Sequence, residues 1–127
     1  MITIVERDTG RVVGTIDEAS AHQQVHTGAV HLHQGQSYVV VDLDLDAAVA
    51  TVVPGDPGWS TMAQSVSEFR IERVERTREY AGAAVSYGAV RVTGQVQSFM
   101  RRLPSGEVIG QHPLDLPQRT LHTMAEW

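Results

Sequence analysis

The stretch from His26 to Val41 constrains the fold more than any other part of the chain. Ala29, Val30 and Leu32 precede a Gln34-Gly35-Gln36-Ser37 turn, and Tyr38, Val39, Val40 and Val41 follow it. Gly35 supplies the positive φ that a tight hairpin turn needs. The second run is β-branched and aromatic without helical spacing, so the two runs read as paired strands. A β-hairpin near the centre of a small all-β domain follows.

The flanking segments fit that reading. Ile2 to Glu6 and Arg11 to Ile16 predict two strands around an Asp8-Thr9-Gly10 turn. Asp17 is a candidate N-cap for one short helix beginning at Glu18. Asp42-Leu43-Asp44-Leu45-Asp46 alternates with period two and reads as a solvated strand end. An EF-hand is excluded there, because the positions needing glycine and glutamate hold Ala47 and Val53. Ala48 to Val53 is a further strand, and Pro54-Gly55-Asp56-Pro57-Gly58 a loop with Trp59 at its edge, expected to plug a barrel end.

Val66 to Glu79 has no apolar stripe at helical spacing and reads as a long, partly exposed strand. Tyr80 to Gly88 reads as a flexible connection. Val90 to Phe99 alternates, with a bulge expected at Gly94. Glu107 to Gln111 returns after a Pro104-Ser105-Gly106 turn, and Thr120 to Trp127 is expected as a last strand. Short strands with close Gly/Pro turns predict a single domain over residues 1–127: a small, partly open β-barrel of antiparallel strands with one short helix.

Composition removes whole classes of function. The chain has no cysteine, so disulfides, thiolate catalysis and cysteine-held zinc are out. It has no lysine, so a Walker A phosphate loop is impossible. No apolar run approaches a membrane span and no signal-peptide pattern opens the chain, so a cytoplasmic location and no membrane partner are expected. The net charge of −5 does not suggest a free-standing nucleic-acid binder. Yet all ten basic residues are arginines, each a planar fork suited to carboxylate or phosphate.

His31 and His33 share a strand face, and with His26 raise a cupin-like metal site as one alternative. The carboxylate such a site needs falls at Ser37 or Tyr38, so no metal ligand is assigned. No nucleophile elbow or paired carboxylates stand out, and no catalytic residue is assigned. The arginines remain. Arg70, Arg76, Arg78, Arg91, Arg101 and Arg102 are the candidate nucleic-acid contacts, forming a local basic patch if their two segments pair. The opposing view has Glu72, Glu75 and Glu79 neutralise the first cluster as a solvated face.

The hairpin also resembles a segment of the YprA/MrfA-like DEAD/DEAH-box helicases, superfamily-two DNA helicases with a cysteine-rich metal-binding C-terminal domain. His26, Gly28, His33, Gln34, Gly35 and Tyr38 carry the match. Thr27 replaces the usual proline and His31 the usual tyrosine, which weakens a metal role for His31. Leu43-Asp44-Leu45, Tyr87 to Thr93, Leu114 to Pro117 and Thr123 to Trp127 extend it over nearly the whole chain. The resemblance implies an excised accessory β-domain, with ATP and Mg held by the motor domains of a parent and no cofactor here. It implies a role in positioning DNA, expected single-stranded, or in bracing neighbouring helicase domains during 3′-to-5′ translocation in DNA repair. A protein-interaction module is the other alternative, motivated by the acidic total and the apolar tail with Met124 and Trp127.

Overall fold

The computed structural model describes residues 1–127. The strands are β1 (Ile2–Glu6), β2 (Val12–Ile16), β3 (Val30–His33), β4 (Gln36–Asp44), β5 (Val49–Pro54), β6 (Ser60–Tyr80), β7 (Ala83–Arg102), β8 (Val108–Pro113) and β9 (Arg119–Glu126), with one helix, α1 (Glu18–Gln24). The fold is all-β apart from that helix, as expected. The chain forms two compact units, Met1–Gln64 with Val96–Leu116, and Ser65–Gln95 with Pro117–Trp127. Strands β6 and β7 run through both. No helix is long and apolar enough to cross a membrane.

In the first unit a five-stranded sheet has the order β2-β1-β5-β4-β3. The hairpin of the sequence is β3–β4. Its turn is tighter than expected: Gln34 (φ 50°) and Gly35 (φ 80°) make it alone, and His33 pairs with Gln36. Positive φ at both central residues gives the twist that matches flanking strands. One neighbour pair departs from the antiparallel expectation, since β1 and β5 run parallel with Ile4 opposite Ala50. Parallel strands need a crossover, and here α1 and the β3–β4 hairpin lie between the two in sequence.

Asp17 caps α1, its Oδ2 accepting from the Ser20 N–H at 3.0 Å. At seven residues the helix is too short to stand alone. It is held by burying Ala21, with Val25 just beyond it, against Ile2, Ile4, Tyr38, Val40, Ala50 and Val52. Each such Val or Ile side chain contributes roughly 1.5–3 kcal/mol when fully buried. The sheet curls into a half-barrel without closing. Its two edge strands, β2 and β3, do not pair, yet the His33 ring lies over Gly14, where a Cβ would stand 3.2 Å from the imidazole Cε1.

The second unit is built from β6 beyond Gln64, the first part of β7, and β9. Tyr80 to Gly88 is not a flexible connection. Ala81 (φ 51°) and Gly82 (φ 82°) form a two-residue turn, and β7 begins at Ala83. Small residues here serve close packing: Gly88 is buried, and a Cβ on it would run into the Arg73 carbonyl. The β7–β9 ladder runs unbroken from Tyr87–Glu126 to Gly94–Arg119, so this pairing has no bulge at Gly94. Val90 is fully buried, while Phe69, Val74, Tyr80 and Leu121 stay more than half exposed.

Candidate nucleic-acid interface

The six candidate arginines fall in both units. Arg70, Arg76, Arg78 and Arg91 belong to the second, and Arg101 and Arg102 to the first. Period two along β6 separates Arg76 and Arg78 from Arg73 and Glu75. Arg73 is neutralised locally, its Nη2 donating to Glu75 Oε1 at 2.6 Å. Glu72 instead accepts from His122 Nδ1 at 2.8 Å. Arg91 stands opposite His122 in the β7–β9 ladder. The glutamates therefore cancel only part of the β6 charge. No ion pair engages Arg70, Arg76, Arg78 or Arg91.

Arg76 and Arg78 meet at a cavity of about 310 Å³. Thr77, Ser86, Tyr87 and Glu126 complete most of its wall. The Arg76 guanidinium lies 4.9 Å over the Tyr87 ring. The Thr77 and Ser86 hydroxyls share a hydrogen bond of 3.1 Å, which ties β6 to β7 beside it. The Arg76 guanidinium covers one face of Tyr87 as a cation–π contact, and Arg78 adds a second guanidinium at the same cavity that can hold an anion.

The first unit holds a similar pair. Arg101 places its guanidinium 4.9 Å over the Trp59 ring. Trp59 is half-buried, so it is a partner of Arg101 rather than only a plug. A register shift between Arg101 and Arg102 marks the bulge where β7 leaves β8. Bulges re-aim side chains and so free both arginines from strict alternation. The Nε of each is shielded and without a hydrogen-bond partner.

The hairpin residues do different work. His26 is fully buried, its ring 4.7 Å from Phe99, and Phe99 is 5.1 Å from His112. Gly28, at φ 88°, admits the Phe99 ring, since a Cβ would sit 2.9 Å from its Cζ. Tyr38 is buried and its hydroxyl accepts from Arg11 Nη2 at 3.1 Å. Burial lowers the His26 pKa, with the Nδ1 contact to the Thr27 carbonyl opposing more weakly. His31 is lowered by burial and then by His33, whose ring stacks 6.3 Å away. His26 does not join them, and no three His, Asp or Glu side chains are gathered as a metal site requires. Sequence reasoning missed Tyr87, Glu126 and Phe99 as partners. The β7–β9 register pairs Tyr87 with Glu126 beside the unforeseen Ala81-Gly82 turn, and the β7–β8 register sets Phe99 opposite His112.

These features define a β-rich module whose marked surface chemistry is guanidinium over aromatic ring. No protein-family model matches the chain. YprA of Bacillus subtilis, described as an uncharacterized ATP-dependent helicase, is 32% identical over 118 residues, covering 92% of this chain and 16% of YprA. A crystal structure of the DUF1998 helicase MrfA bound to DNA superposes with a TM-score of 0.82 and 31% identity, over 99% of this chain and 17% of that one. A second, bound to DNA and AMPPNP, gives 0.76 and 27% over 95% and 16%. The chain is thus homologous to one segment of the YprA/MrfA-like helicases, and it spans about a sixth of the length of the relatives it matches.

Proposed function

We propose that this chain is an accessory segment of an ATP-dependent DNA helicase, non-catalytic itself, that contacts single-stranded DNA through its arginine–aromatic pairs. The observation that carries this is the Arg76–Tyr87 pair at the rim of a cavity also lined by Arg78. Proteins that hold single strands combine cationic grooves with aromatic rings on which bases stack, and the second pair, Arg101 over Trp59, repeats that chemistry. The DNA-bound MrfA structures support the reading, since nearly the whole chain has its counterpart there. ATP, Mg and 3′-to-5′ translocation belong to the motor of the parent, which acts in DNA repair in the cytoplasm.

The test is fluorescence anisotropy with a labelled single-stranded oligonucleotide at low salt. The 127-residue chain binds, and both Arg76→Glu/Arg78→Glu and Arg101→Glu/Arg102→Glu weaken binding severalfold. Equal affinity in all three proteins rejects the reading, as does ATP hydrolysis by the chain alone. A second reading, bracing of neighbouring domains, is favoured by the exposure of Phe69, Val74 and Leu121. It predicts that charge reversal leaves DNA affinity unchanged, while Phe69→Ser/Leu121→Ser frees the segment from its neighbours in limited proteolysis of a full-length parent.

A further inference from the structure

The cavity at Arg76 and Tyr87 contains one group that general DNA affinity does not require. Glu126 stands opposite Tyr87 in the β7–β9 ladder and lines the same space. It has no ion pair with either arginine. A carboxylate repels the phosphates that Arg76 and Arg78 attract, so it opposes indiscriminate binding. It fits a ligand that brings N–H donors to it. Nucleobases differ in this respect. Guanine offers two adjacent donors on its Watson–Crick edge, N1–H and N2–H, matching the two oxygens of a carboxylate. Thymine offers one donor between two carbonyls, which a carboxylate disfavours. In a single strand that edge is free to be read.

We infer that this cavity is a subsite for one nucleotide of a single strand and favours guanine over thymine, an inference that rests on the DNA-binding reading above. The base enters the cavity against the stacked Arg76–Tyr87 pair, which forms part of its wall. Its donor edge meets Glu126, and Arg78 takes the adjoining phosphate. The volume of about 310 Å³ lies at the small end of ligand sites and suits one nucleotide rather than several.

The experiment compares a labelled dT octamer, the same octamer with one central dG, and one with central inosine, which lacks the N2 amine. Binding to the 127-residue chain is read by anisotropy at low salt. The dG octamer binds about three- to tenfold tighter than dT, with inosine between them. Glu126→Ala makes the three octamers equal, at an unaltered denaturation midpoint that shows the fold intact. Arg78→Gln weakens all three and keeps their order. Equal affinities in the unsubstituted chain, or a guanine preference that survives Glu126→Ala, overturn the subsite while leaving DNA binding standing. Absence of binding to every octamer overturns both.

Discussion

At the scale of single residues, the first unit turns on an imidazole and a glycine. His26 is fully buried against Phe99, and burial holds its pKa below the usual imidazole value. The folded state thus binds protons less readily than the unfolded chain. Stability is fully present above the unfolded value and is lost as pH falls from there through the lowered folded value. His31, lowered in the same direction, adds to the effect. Thermal midpoints measured from pH 7.5 down to pH 5 should decline, and His26→Phe should flatten the decline. An equally steep decline in that variant assigns the effect elsewhere. Gly28→Ala meets both a positive φ of 88° and Phe99 Cζ at 2.9 Å. It should cost about 2 kcal/mol or more by denaturant titration, since left-handed strain and overpacking each cost roughly 1–3 kcal/mol. Gly28 and Tyr38 were visible in the sequence as marked positions. Their reason was not, because Phe99 and Arg11 are remote in the chain and reach them only through the fold.

At the scale of elements, two turns set the registers on which the cavity and the core depend. Both are two-residue turns with positive φ, Gln34-Gly35 and Ala81-Gly82. Gly35 announced the first, since it lay between two unmistakable strands. Gly82 did not announce the second. Ala81 is an unusual residue for φ 51°, and the small side chains after it gave no alternation to read. Ala81→Gly should relieve left-handed strain and stabilise the chain by about 0.5–1 kcal/mol, seen as a raised thermal midpoint. A lowered midpoint contradicts the turn assigned here. Gly88→Ala must push its new methyl into the Arg73 carbonyl. It should displace β6 from β7, detected as lost amide protection in Val90 and its neighbours by hydrogen exchange. The strand over Val66 to Glu79 was legible because its charges follow no helical stripe. The parallel β1–β5 pair was not legible, since strand order depends on which edges meet rather than on local pattern.

At the scale of the whole molecule, an acidic chain of net charge −5 carries its useful cations in two arginine–aromatic pairs. Composition alone argues against a nucleic-acid binder, and only the fold shows which arginines escape their glutamates. The all-β class and the single helix could be read from turn residues and period two. The candidate site could be read only as a set of arginines, because Tyr87, Glu126 and Trp59 become their partners through pairing and loop position. The homologous segment of YprA lies within a much longer polypeptide, of which this chain covers 16%. Whether these arginines hold a single strand is read from the salt dependence of its binding. If Arg78 neutralises a phosphate, the slope of log affinity against log salt should become shallower by about 0.7 or more in Arg76→Glu/Arg78→Glu, at roughly 0.7 per contact. A slope unchanged by that double substitution contradicts the account.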